Sequence, residues 1–262
     1  MRALVGVWRL AHALLHLLHG MAVMAIRFPS LDAAGRHRLI QWWSAHLLRS
    51  LGIGISASGA PRSGATLVVA NHVSWLDIAA IHATAPHARF VSKADVRRWP
   101  FIGWLVAGAG TLFIERASKR DALRVVHQMA AALGAGDMVA VFPEGTTGAG
   151  PVLLPFHANL LQAAIATTAP IQPVVLRFYE PDQAFSSAAE FVGKTSLARS
   201  VWRVVCARGL CVQLHWLPPQ RSAHADRRRL AAALRESMSG VLAGSPAAAI
   251  RDAPLADRGV CT

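Results

Sequence analysis

Apolar residues dominate the stretch from residue 3 to residue 26 (ALVGVWRLAHALLHLLHGMAVMAI), interrupted by Arg9, His12, His16 and His19. The pattern predicts a helix apolar enough to enter a membrane. The three histidines fall at i, i+4 and i+7, one helical face, and so predict a weakly polar stripe along an apolar body, as suits an interfacial or tilted anchor. A metal site is the sharper reading of the same residues, but no carboxylate or cysteine lies nearby to complete a ligand set. No convincing small-residue cleavage site precedes Arg27-Phe28-Pro29, so the segment is expected to be retained. A second helical pattern, residues 34–51, carries Arg36, Arg38, Trp42, Trp43 and Arg49. Its tryptophans either lie at headgroup level or pack into a core.

Gly52, Gly54, Gly59, Pro61 and Gly64 mark a turn-rich boundary, after which short apolar runs alternate with helical stretches. Residues 66–70, 88–93, 111–115, 138–142, 171–178 and 211–217 read as strands, several of them too continuously apolar to have a wet face. Ser118-Lys119-Arg120-Asp121 offers a capping box for a helix to about Leu133, and residues 153–168 supply another helix. The alternation predicts an α/β fold, a mostly parallel sheet with flanking helices, preceded by N-terminal membrane-associating helices. The expected division is an N-terminal helical region over 1–58, an α/β domain over 59–243 and a loose tail over 244–262.

Composition narrows the class. The 262 residues are 53% hydrophobic and only 16% charged, with a mean hydropathy of +0.36, greasy for a soluble chain and too polar for a polytopic transporter. A formal charge of +13 favours anionic partners such as phospholipid headgroups, acidic carrier proteins or phosphorylated substrates. Nucleic acid is the weaker reading: there is one Tyr, no zinc-finger or RNP-type motif, and most of the eight Trp stand among apolar residues. Cys206, Cys211 and Cys261 form no CxxC pair, consistent with a reducing compartment.

The chemistry gathers at strand ends. Residues 71–77, Asn71-His72-Val73-Ser74-Trp75-Leu76-Asp77, follow the first of these strands. A His just past a strand end stands at the rim of a sheet, and an Asp five residues later, one turn into the next helix, can fold back to its imidazole. Such a carboxylate holds the tautomer and leaves the other ring nitrogen to take a proton from a hydroxyl, typically contributing ~10² to 10⁴ in rate. The competing reading makes Asp77 a helix N-terminal charge and His72 a satisfied loop histidine. Ser74 is either a helix-capping hydroxyl or a nucleophile. Downstream, Phe142-Pro143-Glu144-Gly145-Thr146-Thr147 forms a sharp turn in which Glu144 can accept hydrogen bonds from glycerol-type hydroxyls and Gly145 lets backbone approach a ligand. Arg116 ends an apolar strand with a planar fork suited to phosphate. Pro170 and Pro173 bracket a strand entry that shapes a pocket wall.

These blocks, in this order, resemble the glycerolipid acyltransferase family, whose best-known members are 1-acylglycerol-3-phosphate acyltransferases. NHVSWLD, GTLFIER, FPEGT and the Pro-Ile-Gln-Pro-Val strand carry the resemblance across residues 66–178. It implies transfer of a fatty acyl group from acyl-carrier protein or a coenzyme A thioester to a lysolipid hydroxyl. It also implies monotopic attachment to the cytoplasmic face of the membrane, with no cofactor and no metal. In this reading His72 and Asp77 are catalytic. Arg116, Glu144, Gly145 and Thr146 bind substrate, with Asn71, Phe142, Pro143 and Pro173 in support. Where many relatives continue FPEGT with Arg, this chain has Thr147, which removes a cation beside the expected phosphate. The acceptor is then 1-acyl-sn-glycerol-3-phosphate or another lysolipid such as lyso-ornithine lipid, with Arg116, Lys119 and Arg177 available to a phosphate. No G-x-S-x-G elbow occurs, which favours direct transfer over an acyl-enzyme. A non-catalytic membrane lipid-binding protein and a hydrolase using the same base on water are the alternatives of other classes.

Overall fold

The computed structural model describes residues 2–98, 102–114 and 119–244. Arg116, Ser118 of the expected capping box, Cys261 and nearly all of the 244–262 tail lie outside them. The strands are β1 (Gly54–Ser58), β2 (Thr66–Ala70), β3 (Ala88–Lys93), β4 (Leu112–Ile114), β5 (Met138–Val141), β6 (Ile171–Tyr179) and β7 (Cys211–Trp216). They form one seven-stranded sheet in the order β1-β7-β6-β2-β5-β3-β4. All neighbours pair in parallel except β6 and β7, so the sheet is mixed and mostly parallel. Because Tyr179 pairs with Cys211, the C-terminal ends of β2, β5 and β6 share one edge with the starts of β7 and β1.

The helices are α1 (Arg2–Ile26), α2 (Ala33–Ser50), α3 (Leu76–Thr84), α4 (Ile102–Gly108), α5 (Lys119–Gly134), α6 (Gln162–Thr167), α7 (Leu197–Cys206) and α8 (Arg227–Ala243). They cover the sheet on both faces, as a sheet of continuously apolar strands requires. Every residue of β2 and β5 is buried. The strand period of two sends Val68 and Ala70 into a core shared with Leu48, Leu76, Ile81 and Val204. Leu67 and Val69 point the other way, against Val125, Met129, Leu161, Leu234 and Met238. Each such large side chain contributes roughly 1.5–3 kcal/mol by leaving water.

Helix α1 forms an outer layer on α2 and α7, and it packs by its smallest side chains. Gly6, Ala13, His16 and Gly20 are buried, whereas Leu4, Val7, Trp8, Leu14, Leu15 and Leu18 are exposed. A methyl group on Gly20 would sit 2.1 Å from the Trp43 Nε1, so only glycine admits that ring beneath the helix. Arg9 donates Nη1 to the carbonyls of Val205 (3.0 Å) and Ala207 (2.8 Å) at the end of α7. His16 turns inward, stacks on Trp43 with centroids 5.4 Å apart and bonds the Trp43 carbonyl through Nε2 at 2.9 Å. The expected histidine stripe is therefore split, with only His12 and His19 outside. No cluster of His, Cys, Asp and Glu suited to a metal occurs among the described residues. The tryptophan pair divides likewise, Trp43 inward and Trp42 outward.

Three further features differ from expectation. Gly54–Ser58, read as part of a turn-rich boundary, forms β1, because β7 offers it a parallel partner along its whole length. Only residues 158–167 of the helix expected over 153–168 are helical. His157 is extended, and the Leu154 N–H is engaged elsewhere, as described below. Helices α4, α7 and α8 lie where no helical pattern stood out.

Candidate active site

Asn71 leaves β2 buried, and its side-chain amide exchanges two hydrogen bonds with Leu176 of β6: Nδ2 to the carbonyl at 2.9 Å and the Leu176 N–H to Oδ1 at 2.8 Å. The chain then turns, and His72 stands on the rim of the sheet. Asp77, in the first turn of α3, is fully buried. Its Oδ2 accepts three bonds, from His72 Nδ1 at 2.8 Å, Val73 N–H at 2.7 Å and Ser74 N–H at 3.0 Å. Two backbone amides thus hold the carboxylate still while it takes the imidazole. With Nδ1–H facing Asp77, the neutral ring keeps its lone pair on Nε2. The His72 side chain is 21% exposed, and Nε2 makes no hydrogen bond among the described residues. A base with an oriented ring and a free, accessible nitrogen results.

The turn after β5 supports the same loop. Glu144 is buried, with Oε1 accepting the His72 N–H at 2.8 Å and Oε2 accepting the Leu154 N–H at 2.8 Å. Burial raises its pKa above the ordinary carboxyl value, against the opposing pull of those two N–H groups. Gly148 N–H donates to the His72 carbonyl at 2.7 Å, so both main-chain polar groups of His72 are fixed by this turn. Gly145 has φ +71°, a conformation that favours glycine, and the His157 ring lies 3.0 Å from where a methyl would project. Gly145 and Thr146 are exposed on the outside of the turn. The Pro143 carbonyl accepts the His157 N–H at 2.8 Å.

Aromatic rings back the imidazole. Phe142 stacks on His72 with centroids 4.1 Å apart and 14° between planes, and Phe90 stacks on Phe142 at 5.8 Å. His82 meets Phe90 edge-on at 4.9 Å and binds the Ala88 carbonyl through Nε2 at 3.0 Å. Its burial lowers its pKa to about 4. Pro173 lies in β6 opposite Val69, and its carbonyl accepts Leu217 N–H at 3.0 Å just beyond the β7 ladder. Its missing N–H leaves the Leu217 carbonyl to the Gln172 side chain, whose Nε2 donates to it at 3.1 Å.

One residue far along the chain joins both loops. Phe191 gives its N–H to the Val73 carbonyl at 3.1 Å, and its own carbonyl accepts the Thr147 hydroxyl. No pattern in residues 180–195 signals this bridge, since only its main chain takes part. The clamp by Glu144 was more accessible to sequence reasoning, because a carboxylate directly after a fully buried strand must find donors. Two expectations change. Ser74 is fully buried and its hydroxyl has no partner among the described residues, so it neither caps α3 nor reaches a substrate. Arg177 is buried and donates to the carbonyls of Gly244 (2.7 Å), Val241 (3.1 Å) and Leu242 at the end of α8. Its guanidinium is spent on a helix terminus and is not available to a phosphate. The Lys119 side chain lies outside the described atoms.

The sequence model of the family described as Acyltransferase matches residues 55–177. The chain is 37% identical over 222 residues to the lyso-ornithine lipid O-acyltransferase of Pseudomonas aeruginosa, covering 84% of this chain and 85% of that one. It is 34% identical over 212 residues to the 1-acyl-sn-glycerol-3-phosphate acyltransferase of Neisseria meningitidis serogroup B, covering 79% and 82%. The crystal structure of the 1-acyl-sn-glycerophosphate acyltransferase of Thermotoga maritima shares its fold, with a TM-score of 0.69 over 92% of this chain and 96% of that one at 20% identity.

Proposed function

The chain belongs to the acyltransferase family, and from that membership and the His72–Asp77 pair we propose that it transfers a fatty acyl group from a thioester to the free hydroxyl of a lysolipid. His72 Nε2 takes the hydroxyl proton as the oxygen attacks the thioester carbonyl. The C–O bond forms, the C–S bond breaks, and the imidazolium returns its proton to the leaving thiolate. Asp77 stabilises the imidazolium while it exists. The chain's own residues supply base and orientation, so no cofactor enters this scheme. The observation that carries it is the accessible Nε2 opposite a carboxylate that three donors hold in place.

The acceptor we propose is 1-acyl-sn-glycerol-3-phosphate, giving phosphatidate, with acyl-carrier protein or coenzyme A as the thiol carrier. Attachment is to the cytoplasmic face of the cell membrane through α1, the one described helix long and apolar enough to cross a bilayer. A second acceptor, lyso-ornithine lipid, is favoured by Thr147, whose hydroxyl binds the Phe191 carbonyl and brings no cation to the turn. Incubating the detergent-solubilised protein with both thioesters against a panel of lysolipids, with products identified by mass, tests the reading. Phosphatidate formation supports the first acceptor, an acylated ornithine lipid alone replaces it with the second, and free fatty acid without acceptor dependence defeats the transferase reading.

A further inference from the structure

The outer face of the molecule is distinctive in its tryptophans and its charge. Trp8, Trp42, Trp104 and Trp202 are 65%, 39%, 46% and 43% exposed, unusual for so large an apolar ring. They belong to α1, α2, α4 and α7, and α1 touches each of the other three helices. A methyl on Gly6 would lie 2.7 Å from Cys206 Sγ and 3.7 Å from the Trp202 ring, which places α7 against the first turns of α1. A methyl on Gly108 would lie 2.5 Å from Met24 Cε, which places the end of α4 against its last turns. None of the chain's 14 Asp and Glu lies in these four helices, which carry Arg2, Arg9, Arg36, Arg38, Arg49, Arg199 and Arg203.

We propose that α4 and α7 seat in the bilayer beside α1, so that Trp42, Trp104 and Trp202 join Trp8 in one membrane-contact face that accepts an anionic lipid surface. The proposal rests on the membrane attachment put forward above and gives it an orientation. From Gly6 to Met24 the axis of α1 runs roughly 27 Å, and neighbours from the folded domain line it at both ends. A spanning α1 would draw α2 and the sheet beneath it through the hydrocarbon. Laid in the interface, α1 buries its exposed leucines while the domain stays in water. Tryptophan favours that depth because its ring is apolar and its N–H wants a polar partner. Arg199 is exposed next to this face, has no carboxylate partner among the described residues, and meets phosphate groups there. The sheet edge that carries His72 is also the edge at which α1 begins, since Arg9 binds Ala207 just before β7 starts. An acceptor hydroxyl could then reach the base from the headgroup layer.

Photocrosslinking of the full chain on phosphatidylglycerol/phosphatidylcholine vesicles, with a diazirine in the acyl chain and mass-spectrometric mapping, tests this. The expected adducts fall on α1 and on the peptides containing Trp104 and Trp202. Adducts on α1 and α2 alone overturn the proposal and leave attachment standing. No adducts anywhere defeat both. In a second arm, the Trp104→Ser, Trp202→Ser double variant should lose roughly tenfold in vesicle affinity while keeping the far-UV spectrum of the parent. Unchanged affinity overturns the proposal.

Discussion

Glu144 reaches His72 through the main chain: its Oε1 accepts the His72 N–H at 2.8 Å, while its Oε2 takes the Leu154 N–H. The carboxylate thus holds the loop that presents the base, and its two oxygens face protein donors. Glu144→Ala leaves two N–H groups without acceptors and should cost about 2 kcal/mol or more in chemical denaturation. Steady-state kinetics of the same variant should show kcat down roughly 10²-fold with little change in KM for the lysolipid, as expected when geometry is lost and not a contact. A raised KM at unchanged kcat would make Glu144 a headgroup ligand instead.

His72→Ala should remove activity while the far-UV spectrum and melting temperature stay near those of the parent, because the side chain is partly exposed. Asp77→Asn should be the milder lesion catalytically, about 10² to 10⁴ down in kcat, since the base survives in the wrong tautomer. Its fold should suffer more, because the Val73 and Ser74 amides lose a charged acceptor. Near-normal turnover in His72→Ala would remove the proposed base.

His82 sets a pH dependence. Its pKa falls from 6.5 in the unfolded chain to about 4 in the fold, so the unfolded state binds the extra proton first as pH drops. The neutral ring's contribution is complete above pH 6.5 and is lost progressively down to about pH 4. The full excursion amounts to about 3 kcal/mol. Urea midpoints measured across that window should fall more steeply for the parent than for His82→Leu. Parallel curves for the two proteins would show that this ring does not govern acid sensitivity.

Gly20→Val forces a side chain into the space of the Trp43 ring, where even a single methyl would sit 2.1 Å from Nε1. Overpacking of this kind costs about 1–3 kcal/mol, and here the strain can be relieved by lifting α1 from α2. Limited proteolysis should therefore cut between α1 and α2 faster in the variant. The catalytic domain should remain folded by near-UV spectroscopy. Unchanged cleavage would place the strain elsewhere.

How much of this was legible in the sequence depends on which atoms carry the contact. Continuous apolar runs such as TLVVA and MVAVF, short and bounded by turn residues, read as buried strands, and the fold follows from them. His72 and Asp77 stand together because a strand end and a first helical turn are close for any chain of that spacing. Gly54–Ser58 escaped because small and polar residues carry no strand signal until a partner such as β7 fixes them. The Phe191 bridge escaped because main-chain groups are the same in every residue. Arg177 is ambiguous for a related reason: a guanidinium at the end of a strand suits a phosphate or a helix terminus equally, and only the placement of α8 decides between them.

Asn71 bonds Leu176 with a donor and an acceptor arranged as in a peptide group. In effect a side chain impersonates one more link of β2. The neighbouring strand continues to find a complete partner after the real backbone has departed. That freedom lets the main chain swing His72 outward without leaving a bare peptide in the core beneath it. A strand ended any other way would have to choose between a sealed sheet and an exposed base.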